Sequence, residues 1–534
     1  MPTLSPVDLV IVAVYILGMT LFGLWFSKAQ KDLKTYFVGE RNVGWFMVLV
    51  SIVATETSAV TFLSVPGTAF QPANPEKNIP EGDMTFIQLA LGYIVGRIVV
   101  AWVLLPMYMR GELFSAYQVL REKFGPGVQR VASALFLVTR TIADGLRLYL
   151  TALVMQYVGW GIETAVVVVG VVTIVYTYLG GMKAVLWTDL IQFVIKIAGA
   201  VLAGIFVLAI IPGGWDTFAA VGERFGKFTW VDTSFDLKKD FTLWAGLIGG
   251  AVFSMASHGA DQLMVQRYFC AKSLGHARIA LVLSGFTVFA QFVLFLLVGV
   301  GLFVAKEQGA FDTRVPDEKA PRVVAAEPSP PAEPKVREAT KDEVFGLFIV
   351  RHMPVGVVGV LVAAILAAAM STLSSSLNSS ANAVVSDFLK PLMPGRSEGR
   401  WVFTSRVLTA VFGVAQIVVA LVAHWSGSDR SIVNRVLAVA GMTTGLLLGL
   451  FLLGRFRRPV PTVAAGVGLV CGFAAVMGVW LPSQFGTPIL AFPWFALVGS
   501  VTTVGVALLL SLFLPTRHDG PAATPANRSP QPGV

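Results

Sequence analysis

Charge is what this 534-residue chain has least of. Asp, Glu, Lys and Arg make up 13% of it, about half the share of an ordinary soluble domain. Apolar residues make up 55%. That balance excludes the three or four soluble domains that length alone would suggest. The two cysteines, Cys270 and Cys471, fall in different segments without metal-ligand spacing, so neither a disulfide framework nor a cysteine metal centre is present. No Gly-rich loop ends in Lys-Ser or Lys-Thr, which argues against ATP as an energy source. No paired metal ligands and no nucleophile–base set lie within the apolar stretches, so the chain does not read as an enzyme. No kinase, nucleotide-binding or sensor module is appended. Met1 to Val7 holds no Lys or Arg before the first apolar run, a poor signal peptide, and the first helix is expected to be retained.

The chain has, instead, apolar runs from end to end. A bilayer core of ~30 Å needs about 20 apolar residues per spanning helix. Run length gives about thirteen spans, near residues 8–27, 43–71, 83–109, 127–157, 160–180, 185–211, 241–266, 277–305, 344–388, 402–423, 431–454, 460–480 and 491–514. The expected fold class is an all-α polytopic membrane protein held in the lipid bilayer. Residues 306–343, with Pro328-Ser-Pro-Pro-Ala-Glu-Pro334, read as a flexible or extended loop. Residues 515–534 read as a disordered tail.

The net charge of +9 does not indicate nucleic acid, because the basic residues form no single face or tract. They sit in short loops, where they set membrane topology. With the N-terminus outside, the inner loops carry Lys28, Lys31, Lys34 and Arg41; Arg110, Arg121, Lys123 and Arg130; Lys183; Arg267, Lys272 and Arg278; Lys390, Arg396, Arg400 and Arg406; Arg455, Arg457 and Arg458. The short outer connections carry only Lys77 and Arg430. The C-terminus is then cytoplasmic, and the long loops 212–240 and 306–343 are extracellular.

Charges at membrane depth cost at least ~2.5 kcal/mol each, so they mark a bundle interior or a solute path. Those within spans are Glu56, Arg97, Arg140, Asp144, Arg147, Asp189, Lys196 and Asp261. Arg140, Lys196 and Asp261 read as side chains snorkelling to the interface. Glu56 and the pair Asp144/Arg147 lie deeper. Asp144 and Arg147 share one helical face and can neutralise each other, which leaves a structural pair and a solute contact both open. The densest polar cluster is Ala367-Ala-Ala-Met-Ser-Thr-Leu-Ser-Ser-Ser-Leu-Asn-Ser-Ser380. Ser371, Ser374 and Ser375 share a face, with Thr372 beside it. Such stripes serve helix packing, but a hard cation also wants several oxygen ligands. A broken helix frees backbone carbonyls for that purpose. Pro66-Gly67 is the expected break.

Five separated motifs occur in order: Ala54-Thr-Glu-Thr-Ser-Ala-Val-Thr-Phe-Leu-Ser-Val-Pro-Gly67, Ser115-Ala-Tyr-Gln-Val-Leu-Arg-Glu-Lys-Phe-Gly125, Gly180-Gly-Met-Lys-Ala-Val-Leu-Trp-Thr-Asp-Leu-Ile-Gln192, Asp261-Gln-Leu-Met-Val-Gln-Arg-Tyr268 and the Ser/Thr cluster ending in Asn378-Ser379. From the first span to about residue 460 the chain resembles the sodium/solute symporters, the group containing the sodium–glucose, proline, pantothenate and sialic-acid transporters. The resemblance implies sodium-coupled import of a small organic solute (sugar, polyol or organic acid) by alternating access, on a LeuT-like inverted repeat of five plus five helices. It divides the chain into a leading helix and cytoplasmic loop (1–42), a first repeat (43–211), an extracellular loop (212–240), a second repeat (241–458), two further helices (459–514) and the tail.

The resemblance also implies sites. A main sodium ion would meet Ala54, Thr57, Ala368, Ser371 and Thr372. A second would meet Asp189, Ser371, Ser374 and Ser375, with an interfacial pairing of Asp189 to Lys183 as the alternative. Solute candidates are Glu56, Ser58, Thr61, Gln88, Asp144, Arg147 and His258. The first core helix and the serine cluster look most like those of the sialic-acid transporters. The arginine and glutamine that hold sialic acid there fall at Ala143 and Ala90, which argues against sialic acid itself. Glu56 leaves a polyol, sugar or cationic solute open. The implied partners are sodium, the solute and lipid, with no nucleic acid and no obligate protein partner. An uncoupled facilitator or channel, or a transporter-like nutrient sensor, is the alternative.

Overall fold

The computed structural model describes residues 4–25, 32–73, 81–111, 113–157, 159–316, 336–426, 432–456 and 460–514. Lys28, Lys31, Lys77, Arg430, Arg457, Arg458, the proline cluster at 328–334 and the tail lie outside the described residues.

The helices in chain order are α1 (Pro6–Trp25), α2 (Leu33–Val38), α3 (Trp45–Glu56), α4 (Ala59–Phe70), α5 (Ile87–Val103), α6 (Leu105–Tyr108), α7 (Gln118–Tyr157), α8 (Ile162–Ile210), α9 (Gly214–Arg224), α10 (Ala251–Gly259), α11 (Gln262–Phe269), α12 (Leu274–Glu307), α13 (Val344–His352), α14 (Val357–Ala383), α15 (Lys390–Leu392), α16 (Glu398–Trp425), α17 (Ile432–Arg455), α18 (Thr462–Gln484) and α19 (Phe495–Ser511). Among the described residues seven helical stretches are long and apolar enough to cross a bilayer, and the bent pair α3–α4 makes an eighth. Other expected spans fall on helices that are shorter, interrupted or more polar, such as α5, α7 and α10–α11.

Two glycines divide long helical runs. Gly181 in α8 has φ 58° and ψ −166°, a backbone state essentially reserved for glycine. The spans expected at 160–180 and 185–211 are therefore two helices meeting there. Gly125 in α7, at φ 84°, does the same before Pro126, whose fixed φ suits a first helical turn.

The bundle is apolar outside and small or polar inside. On α16 the exposed residues include Val407, Val411, Val414, Val418 and Val422, while Ser405, Thr409, Gly413, Gln416 and Ala420 face inward. A lipid environment demands that inversion, because small and polar residues are what let membrane helices pack closely. Helix α14 is the centre, with every residue from Leu361 to Ala383 buried. It packs against α8, α7, α1, α16 and α3.

Two helices are broken midway. The pair α3 and α4 bends by 61°, and the break falls at Thr57–Ser58 rather than at Pro66-Gly67, which stays inside α4. The Thr57 hydroxyl donates back to Val53 O at 2.7 Å, a bond that competes with the helical ladder. Ser58 N turns to Glu56 O at 2.8 Å, which frees the carbonyl of Ala54 from its helical donor. The second break lies between α10 and α11, where the Asp261 carboxylate caps the new helix by accepting from Leu263 N at 2.9 Å. A wider-wound turn, Ala245–Gly250, leads into α10. A Cβ on Gly92 of α5 would lie 2.0 Å from Gly246 O, so these backbones touch only because both residues are glycine.

Two long loops are pinned. Strand β1 (Arg314–Pro316) pairs antiparallel with β2 (Val336–Glu338), closing the base of a stretch expected to be irregular. After α9, Lys227 Nζ is buried against carbonyls at the end of α4 and beyond: Ala69 (3.3 Å), Phe70 (3.4 Å), Gln71 (3.2 Å) and Gly82 (2.8 Å). Burial pulls the Lys227 ammonium below the usual lysine range, opposed by Glu81 at 3.1 Å.

Candidate functional site

Between the two breaks lies a cavity of about 130 Å³. Five of the seven expected solute residues line it: Glu56, Ser58 and Thr61 at the first break, His258 at the second, and Arg147 on α7. Tyr93, Phe253 and Phe292 supply aromatic wall. An apolar cavity with a few convergent polar groups is the usual form of a small-molecule site.

Glu56 is the focus of charge. Its carboxylate pairs with the Arg97 guanidinium, which is wholly buried and also donates to Ser284 Oγ at 2.8 Å. His258 Nε2 faces the same carboxylate at 3.6 Å and has no hydrogen-bond partner among the described residues. The other ring nitrogen meets Ser257 Oγ at 2.8 Å.

Arg140 and Asp261 do not snorkel. Their side chains are 13% and 3% exposed and pair with each other at the cavity. Arg140 also lies 3.6 Å from Asp144, which pairs with Arg147. Residues 140, 144 and 147 share one face of α7, so a ladder of alternating sign runs from the second break along α7. Asp144 is the middle rung of this ladder and does not line the cavity. Gln88 does not line it either. Its amide donates to Phe241 O at 3.1 Å and accepts from Asp232 N at 3.1 Å, tying α5 to the long connection after α9. The spacing of 140 with 144 and 147 was the signal that could have placed Arg140 inside.

Asp189 is fully buried rather than interfacial. It accepts from Ser51 Oγ at 2.5 Å and Ser371 Oγ at 2.7 Å. Arg267, expected as an inner-loop charge, is buried beside it at 3.4 Å. Its guanidinium also bonds the hydroxyls of Thr55 and Ser375. The expected second-site residues thus gather, with Ser375 joined to Asp189 through Arg267. Ser374 turns its hydroxyl to Ser371 O at 3.1 Å.

The expected main-site oxygens divide among different partners, with Ser371 Oγ on Asp189 and Thr372 Oγ1 also 3.3 Å from Ala368 O. Thr372 Oγ1 of α14 donates to Thr55 O at 2.9 Å, which brings the serine helix onto the first break. Lys196, expected to snorkel, is fully buried and donates to Ala54 O at 2.5 Å and Thr57 O at 3.2 Å. Two of the carbonyls expected to face sodium therefore already accept from a lysine of α8. As arranged, this donor set does not fit a sodium ion.

Paired broken helices around a polar cavity, in a bundle that is apolar outside, define a membrane solute transporter of the inverted-repeat fold. The chain belongs to the sodium:solute symporter family, whose model matches residues 36–472. It is 27% identical over 516 residues to the sodium/sialic acid symporter SiaT of Proteus mirabilis, covering 94% of this chain and 95% of that one. It is 27% identical over 493 residues to the human sodium/iodide cotransporter, covering 91% of this chain and 71% of that one. A solved substrate-bound, outward-open Na+-coupled sialic acid symporter, described as revealing a novel Na+ site, superposes with a TM-score of 0.80 at 26% identity, covering 96% of this chain and 98% of that one. The family is one of sodium-coupled transporters, not enzymes.

Proposed function

We propose that the chain imports a small polar organic solute by alternating access, with sodium as the driving ion and the solute lodged between Glu56, His258 and Arg147. The observation that carries this reading is the cavity at the junction of the two broken helices. Residues flanking a helix break can reorient more cheaply than a continuous helix, and freed backbone groups there can meet a ligand. The cavity presents both signs of charge, Glu56 and Asp261 against Arg140 and Arg147. That suits a polyol, a sugar or an organic acid with hydroxyls. The bias of basic residues toward one set of short loops supports an outside N-terminus and a cytoplasmic C-terminus in the cell membrane.

Each charge carried across 100 mV is worth ~2.3 kcal/mol, roughly a fiftyfold accumulation of a neutral solute. The number of sodium ions per solute therefore sets the concentrating power. A thermal-shift screen of solutes with and without sodium identifies the cargo. Uptake of that labelled solute into proteoliposomes then tests the drive. Replacing sodium with choline is expected to collapse accumulation; undiminished uptake refutes sodium drive and favours an uncoupled facilitator.

A further inference from the structure

We infer that the tethered amine of Lys196 fills the main sodium position, so that sodium does not enter there. The inference rests on reading Ala54, Thr57, Ala368, Ser371 and Thr372 as that position.

The geometry is specific. Lys196 Nζ reaches two carbonyls on the same side of the first break, Ala54 O at 2.5 Å and Thr57 O at 3.2 Å, and is fully buried. These are not spare contacts. The amide that a continuous helix would offer to Ala54 O, Ser58 N, is turned to Glu56 O. A buried carbonyl left without a donor is costly, and an unpartnered buried amine is costlier still. Lysine and break each satisfy what the other leaves open.

Placement on α8 extends the argument. Asp189 and Lys196 are seven residues apart, two helical turns, and so share one face. Asp189 meets Ser51 and Ser371, while Lys196 meets the break itself. One helix face thereby brings a carboxylate to the serine cluster and an amine to the carbonyls. The Lys196 nitrogen stands at contact distance from the two carbonyl oxygens that a sodium ion in this position would also need, so the amine and the ion cannot be held there together. The functional difference is tethering. A sodium ion arrives from one side and leaves on the other, and that passage is what draws on its gradient. A lysine bonded to α8 stays with the protein. Sodium drive then has to act elsewhere; the Asp189 cluster is the other expected position, and there Arg267 already stands 3.4 Å from the carboxylate and bonds Ser375.

The test uses sodium itself as the probe. Radiolabelled sodium binding and sodium-dependent thermal stabilisation, with potassium as control, are measured on the full-length purified protein. Thr372→Ala in the wild-type background is expected to leave sodium binding unchanged. Lys196→Met is expected to bind one more sodium per chain than the wild type, and adding Thr372→Ala to it is expected to remove that ion. Wild-type sodium binding that disappears with Thr372→Ala overturns the inference, as does a folded Lys196→Met protein that gains no sodium. If Lys196→Met does not fold, the wild-type and Thr372→Ala pair still decides. Wild-type binding lost with Asp189→Asn but kept with Thr372→Ala supports both this inference and sodium drive. A wild type that binds no sodium at all supports the inference and refutes sodium drive.

Discussion

Replacing Glu56 and Arg97 one at a time and then together tests whether the cavity is organised around their pair. Arg97 is wholly buried, and Glu56 is 17% exposed through the cavity. Removing one partner of a buried ion pair costs ~3–5 kcal/mol, because the other charge is left uncompensated. Arg97→Met leaves a carboxylate that cavity water still reaches, which places it near the low end, ~3 kcal/mol. Glu56→Gln leaves a guanidinium out of water's reach but still hydrogen-bonded to Ser284, and ~3 kcal/mol is expected there too. The double variant has no charge to strand, so its cost should stay near that of either single change. The interaction term is then ~3 kcal/mol, at the upper end for contacting residues. Unfolding free energies in mixed micelles measure all three. A double variant that falls at the sum of the singles, to within ~0.5 kcal/mol, refutes the pair as the organising contact.

Other consequences are equally direct. Gly92→Ala puts a Cβ 2.0 Å from Gly246 O and should cost ~1–3 kcal/mol by overpacking. Gly18→Ala meets nothing within 4 Å on exposed α1 and should be neutral or stabilising by up to ~1 kcal/mol; equal melting temperatures for the two would contradict the close helix contact. Gln88→Ala should lower the melting temperature through its lost loop contacts while leaving the transport KM for the identified solute unchanged. Asp261→Asn keeps a side-chain cap on α11 but removes the nearer of Arg140's two carboxylate partners, so uptake should fall more than tenfold in protein that still folds, and near-normal uptake would count against the Arg140–Asp261 pair as part of the site.

Much of the fold was readable because lipid imposes simple rules on composition. Apolar run length located most helices, and the gap left between the spans at 160–180 and 185–211 falls where Gly181 divides α8. Glu56 and His258 were recognisable as unusual polar residues deep in spans. Partner choice was not readable. Lys196 in an apolar run gives the same one-dimensional signal whether its amine rises to the interface or turns inward to a broken helix. Arg140, Asp261 and Arg267 were misplaced for the same reason. The first break was sought at Pro66 because proline is the familiar helix breaker. The structure places it instead where hydroxyl residues compete with the ladder and where Lys196 and Thr372 reach in to satisfy the carbonyls. Those donors come from residues more than 130 positions away, so no local window could have found it.

Lys227 gives this end of the bundle a mechanical linkage. Its single nitrogen gathers carbonyls from the end of α4 and from Gly82, at the start of the chain leading into α5. A cation shared among carbonyls from both sides of a connection works as a rivet. Tilting α4 alone would break several of those bonds at once, so α4 and the segment after α9 should move as one plate.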